Sequence, residues 1–288
     1  MPAAGSARHR VAAVAWALAF VVVGYFAVTN TVTVLFGFLA SRASWLADGP
    51  VGPSLIQAAV GVGVFWPLSW LIGRRRLKLT PDQLGWAPSR VGVQGFGKGF
   101  IVAIAIGAVA VIAGLPANST WVFDGGTLAE YFGRLLTLAL VLLPAALFEE
   151  LAFRGVLVAG LIQGLGRVSG VGVGAVLFAL AHRNNPGVTP LALGNIALAG
   201  IFLGATFLAR GGLWTATGAH LGWNLALAGS GAAVSGLPFE IPWVDFIPGE
   251  PSWLTGGLFG PEGGLLATGA LVLGTVVVVR WPEFREAR

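Results

Sequence analysis

The sequence predicts an all-α fold: a polytopic integral membrane bundle of about eight transmembrane helices, with N- and C-termini in the cytoplasm. Three observations predict it. Hydrophobic residues make up 56% of the 288 and charged residues only 10%, where a soluble domain carries roughly 25% charged residues. Apolar runs near 11–41, 54–73, 99–115, 131–148, 168–181, 190–209, 213–228 and 264–279 approach or exceed the ~20 residues that cross a hydrocarbon core. The basic residues alternate between connections as a multi-pass topology requires.

The first run follows Arg8-His9-Arg10 and stays apolar for longer than the roughly 7–15 residues of a signal-peptide core, so it reads as a retained helix. After the second run comes a basic connector, 74–98, in which Thr80-Pro81 can open a short helix as N-cap and first helical residue. Trp86 suits the membrane interface. The fourth run continues past Arg154 to Gln163, breaks at Gly164-Leu165-Gly166, and resumes as a new helix near Val168. The stretch 229–263 is rich in Gly and Pro, with Trp243 and Trp253 placed as interfacial anchors. The chain divides into N-terminal spans (1–130), a central core (131–228), and an outer loop with a last span (229–288). Its 44 glycines suit close helix contact in lipid. There are no cysteines, which excludes disulfides and thiolate metal sites.

Charge sets the orientation. With a cytoplasmic N-terminus and alternating spans, Arg8, Arg10, Arg74, Arg75, Arg76, Lys78, Arg90, Lys98, Arg167, Arg210, Arg280, Arg285 and Arg288 face the cytoplasm. Arg42, Arg134 and Arg183 fall on the other side, and Arg154 is set apart. Thirteen against three is the positive-inside bias. Asp48, Asp124, Glu130, Glu240, Asp245, Glu250 and Glu262 collect in the outer loops. This pattern accounts for the net +5 without a nucleic-acid partner; the bilayer is the partner expected. Fifteen Arg against two Lys point to a bacterial, GC-rich coding bias, and the expected location is the cell membrane.

Charges inside spans cost about 2.5–3.5 kcal/mol each on the insertion scale and need a partner and a purpose. Three clusters stand out: Phe148-Glu149-Glu150 with Arg154, Phe178 with His182, and His220 with Asn224. Glu150 and Arg154 are i,i+4, on one helix face and able to pair. Glu149 lies ~100° further round, free to face a cavity. His220 and Asn224 are again i,i+4. If 149–182 is a helical hairpin, its midpoint of 165.5 falls in the glycine break. Glu149 and His182 then share one level, roughly 24 Å above the tip, in a water-accessible pocket.

A free carboxylate can take a proton from water, histidines can bind a metal or hydrogen-bond an oxyanion, and an asparagine can donate an amide hydrogen bond. The set suits amide hydrolysis. There is no His-Glu-x-x-His zinc signature. The nearest serine-protease candidate is Gly229-Ser230-Gly231, in a small-residue loop.

These segments resemble the signatures of the CPBP family of intramembrane proteases, which includes type II CAAX prenyl endopeptidases and bacteriocin-immunity (Abi) proteins. The family pattern Glu-Glu-x-x-x-Arg, Phe-x-x-x-His and His-x-x-x-Asn/Asp is matched by Glu149-Glu150-x-x-x-Arg154, Phe178-x-x-x-His182 and His220-x-x-x-Asn224. The resemblance implies an endopeptidase whose water is activated by Glu149. His182, His220 and Asn224 would hold that water and stabilise the oxyanion, with Glu150, Arg154 and Phe178 in support. Glu149, His182 and His220 could instead complete three zinc ligands, in which case another group must act as base; the reading adopted has no tightly bound metal or other cofactor. The expected substrate is a peptide or protein segment reaching a cavity open to the cytoplasm. The alternatives are a non-catalytic scaffold or immunity protein of the same fold, and a proton-coupled or anion transporter. Paired broken half-helices of the transporter kind are not evident.

Overall fold

A long apolar run in lipid can satisfy its backbone only within itself, and helices result. The computed structural model describes residues 6–40, 42, 51–123 and 125–284. Asp48, Asp124, Arg285 and Arg288, part of the charge pattern above, lie outside the described residues. The helices are α1 (Ala7–Ala40), α2 (Val51–Leu68) prolonged by a π-helical turn (Ser69–Arg76), and α3 (Ser89–Ile112). Then come α4 (Leu128–Glu150), a π-helical turn (Leu151–Gly155), α5 (Val156–Leu165), α6 (Arg167–Ala181), α7 (Pro190–Phe207) and α8 (Leu213–Gly229), followed by α9 (Ser252–Thr255) and α10 (Leu265–Arg280). Strands β1 (Thr120–Val122) and β2 (Asp245–Ile247) pair antiparallel, with Trp121 opposite Phe246.

Each of the eight apolar runs carries a helix, and the chain is an all-α membrane bundle. Among the described residues, five helical segments are long and apolar enough to cross a membrane: Ala7–Leu39, Val51–Arg76, Ser89–Ala117, Leu128–Leu165 and Pro190–Phe207. Helices α6, α8 and α10 have 15, 17 and 16 residues, short of the ~20 that span a hydrocarbon core.

Local signals explain the helix starts. Thr127 and Glu130 form a reciprocal capping box at α4, and Thr189 caps α7 ahead of Pro190. Thr80 and Gln83 exchange the same two bonds, yet only a turn follows, because Gly85 at φ 72° leaves the helical region. The connector is also shorter than the sequence suggests. The π-helical turn carries α2 to Arg76, and α3 opens at Ser89 directly after Pro88.

Neighbouring helices form a closed circuit, α1–α2–α4–α8–α3–α10–α7–α6–α5 and back to α1. Within it α8 is nearly enclosed: every residue from Leu213 to Trp223 except Trp214 is buried. Its partner α3 lies against it backbone to backbone. A Cβ on Gly218 would stand 2.1 Å from the Phe96 carbonyl oxygen, one on Gly222 2.4 Å from that of Phe100, and one on Gly99 2.2 Å from that of Thr215. Small residues four apart on both helices allow this approach. Gly218 and Gly222 face α3, while His220 and Asn224 lie ~200° round from them and face inward.

One end of the bundle gathers the basic connections. Arg10 Nε donates to Gly164 O at 2.9 Å, Lys98 Nζ to Glu283 at 2.6 Å, Arg210 N to Phe284 O, and Leu213 N to Gly85 O. This joins the start of α1, the α5–α6 tip, the connector, the α7–α8 turn and the end of α10. The opposite end is capped by the β pair and the 230–263 stretch.

Candidate active site

Pro144 lies inside α4 and lacks the amide hydrogen for the regular ladder. At Leu151–Gly155 the helix widens to a π turn, a feature frequent at functional sites. Glu149 and Glu150 sit at its edge. The hairpin expected at Gly164–Gly166 is present: α5 ends at Leu165, Gly166 reverses the chain at φ 87°, and α6 begins at Arg167.

The hairpin brings Glu149 and His182 to one level, and α8 adds His220. Glu149 Oε2 lies 3.8 Å from His182 Nε2 and 3.8 Å from His220 Nε2, and it has no hydrogen-bond partner. Each ring is oriented by its other nitrogen. His182, the residue that ends α6, places Nδ1 2.8 Å from Phe178 O; His220 places Nδ1 2.8 Å from Glu150 Oε1. A carbonyl or carboxylate oxygen only accepts, so each Nδ1 carries a hydrogen. Both Nε2 atoms then face Glu149.

Behind the rings, Glu150 and Arg154 are buried and paired at 3.2 Å, as their spacing indicates. The Arg154 guanidinium covers the Phe178 ring at 4.2 Å, and neither of its Nη atoms makes a hydrogen bond. Phe178 joins the parts: its ring centroid lies 4.7 Å from His182, 6.1 Å from His220 and 5.2 Å from Phe153. Ser230 plays no part in this arrangement. Its hydroxyl donates to Leu227 O at the end of α8.

Glu149, Phe178, His182, His220 and Asn224 all line one cavity of about 280 Å³. Sequence reasoning missed further polar lining residues: Tyr25, Ser54 and Gln57 from α1 and α2, Asn185, Ser235 and Glu262. Tyr25 and Gln57 are isolated polar residues in apolar runs, which was their available signal. Glu262, expected in an outer loop, is 4% exposed in the cavity wall.

The cavity's lining includes Asn185, Val234, Leu237 and Phe239, which follow α6 and α8 at the ends away from the hairpin tip. Glu149 lies well away from the hairpin tip.

Glu149, His182 and His220 are the candidate metal ligands. Among the described residues, no group of three or more His, Asp or Glu side chains is arranged to hold a metal ion. A single Glu149 oxygen faces both nitrogens, and as a ligand it would no longer be free to act as base.

Residues 131–226 match the family model of the Rce1-like type II CAAX prenyl endopeptidases. This stretch is Rce1-like. It makes up a third of the chain and carries all three motif segments. The Rce1-like match and the long apolar helices together mark a membrane protein. No curated protein and no solved structure matches the chain.

Proposed function

We propose that the protein is an intramembrane endopeptidase in which Glu149 activates water. One observation carries the reading: a carboxylate oxygen without a hydrogen-bond partner stands 3.8 Å from the Nε2 atoms of two histidines. That gap is too long for a direct hydrogen bond and suits one bridging water. Glu149 takes a proton from the water as its oxygen bonds to the scissile carbonyl carbon. The carbonyl electrons move onto oxygen, where the Asn224 carboxamide donates a hydrogen bond. Collapse breaks the C–N bond, and the proton held by Glu149 passes to the leaving amine. His182 and His220 hold the water, with Glu150, Arg154 and Phe178 keeping their rings in place.

The substrate class is a peptide or protein segment, with the lipid bilayer as the protein's surroundings and no nucleic acid. The protein resides in the cell membrane with its basic end in the cytoplasm, and the cavity mouth lies on the far side. The test uses full-length protein in liposomes with quenched-fluorescent peptides: a farnesylated Cys-aliphatic-aliphatic-X peptide, its unprenylated counterpart, and an apolar peptide library. Glu149→Gln and His220→Ala are expected to lower cleavage by about 10²-fold or more with unfolding temperatures near wild type. Wild-type rates in both variants would leave a non-catalytic scaffold or immunity protein of the same fold.

A further inference from the structure

Glu262 lies beyond the Rce1-like stretch, and the proposed reaction does not use it. It sits in the short turn Pro261–Gly263 ahead of α10. Its side chain takes three donors: Trp223 Nε1 gives to Oε1 at 2.8 Å, while Ser235 Oγ, at 3.0 Å, and the Ser235 backbone N–H give to Oε2. Its own carbonyl accepts from Asn195 Nδ2 at 2.7 Å. One residue thus joins α7, α8 and the 234–237 turn.

That turn is strained and borders the cavity. Val234 and Leu237 pair across it, with Ser235 at φ 50° and Gly236 at φ 82°. Two left-handed central residues are the signature of a type I′ hairpin turn, where Asn-Gly is the favoured pair. Serine is a poor first residue there, and outside contacts hold it. Asn185 Nδ2 donates to Ser235 O at 2.8 Å, Gly236 N donates to Phe259 O, and Glu262 takes both Ser235 donors. Val234, Ser235 and Leu237 line the cavity that also holds Glu149.

We infer that Glu262 is a positioning residue for substrate: it holds the Val234–Leu237 turn as a rigid apolar rim against which the substrate segment docks. The inference rests on the peptidase reading. A carboxamide at position 262 keeps the shape but turns an N–H₂ towards a donor, so one partner loses its acceptor and the rim loosens.

The experiment compares wild type, Glu262→Gln, and Glu262→Gln/Ser235→Asn, all full-length in liposomes. The second change supplies the residue type a type I′ turn prefers. Three readouts are taken: amide hydrogen exchange at 234–237, kcat and KM on whichever peptide from the panel above is cleaved fastest, and binding of the farnesylated peptide to each protein carrying Glu149→Gln. Glu262→Gln is expected to speed exchange, raise KM and weaken binding about three- to tenfold, as one lost hydrogen bond implies, with kcat within about twofold of wild type. Ser235→Asn should restore KM and binding. Unchanged exchange, a fall in kcat alone, or no restoration overturns the inference. If no protein cleaves, the peptidase reading fails separately, and the binding series still decides whether the rim docks peptide.

Discussion

Glu150 and His220, from α4 and α8, share a 2.8 Å hydrogen bond with side-chain exposures of 0% and 9%. Glu150 also pairs with Arg154 at 3.2 Å, so one buried carboxylate serves two partners. Its loss leaves a buried guanidinium and an imidazole N–H without acceptors. Glu150→Ala should therefore destabilise the protein by about 3–5 kcal/mol, the usual cost of breaking a buried ion pair from one side. Glu150→Gln/Arg154→Met, which removes the charges together, should recover most of that stability but not activity, since the His220 ring loses its carboxylate. Denaturant unfolding in detergent and peptide cleavage measure the two halves.

Asn224 follows His220 by one turn of α8 and lines the same cavity. As the amide donor to a developing oxyanion, it acts in the transition state and little in the ground state. Asn224→Ala should lower kcat by roughly 10²–10³ with KM nearly unchanged. A rise in KM at constant kcat would instead mark it as a substrate-binding group.

The part of the site that follows from linear spacing was readable in the sequence. Glu149 and His182 meet because a hairpin pairs residues equidistant from its tip, and Glu150 meets Arg154 because four residues make about one helical turn. His220 joins them by motif and composition. Glu262 could not be placed this way: it lies 39 residues from Trp223 and 27 from Ser235, in a Gly/Pro-rich stretch without a period to follow. Gln57 and Asn195 were readable in principle, since a polar residue in an apolar run needs a partner wherever it occurs. The π turn at Leu151–Gly155 leaves no composition signal, and the rim depends on loops whose course only tertiary packing decides.

The α3–α8 contact gives a steric prediction. A methyl on Gly218 would meet the Phe96 carbonyl oxygen at 2.1 Å, and backbone cannot yield as a flexible side chain can. Gly218→Ala should cost about 1–3 kcal/mol and lower cleavage, because moving α8 moves His220 and Asn224 on its other face. Gly97, on α3 between Gly95 and Gly99, offers open space instead: a methyl there would meet no neighbouring atom within 4 Å. Gly97→Ala should be neutral or stabilising by up to ~1 kcal/mol. Equal effects of the two substitutions on unfolding would contradict the backbone-contact account.

The sidedness of the cavity can be read directly, because the chain has no cysteine and any single cysteine is the sole thiol. Asp82, in the connector at the basic end, and Glu240, beside the cavity rim, are both exposed. Arg134 Nε holds the Glu240 carbonyl at 2.9 Å, so replacing the side chain leaves that backbone bond in place. With the basic end in the cytoplasm, a membrane-impermeant maleimide added to intact cells should label Glu240→Cys and spare Asp82→Cys. Permeabilisation should then expose Asp82→Cys. The reverse pattern would put the cavity mouth and the acidic loops in the cytoplasm. It would mean that the basic connections, despite their number, do not set the orientation of this bundle.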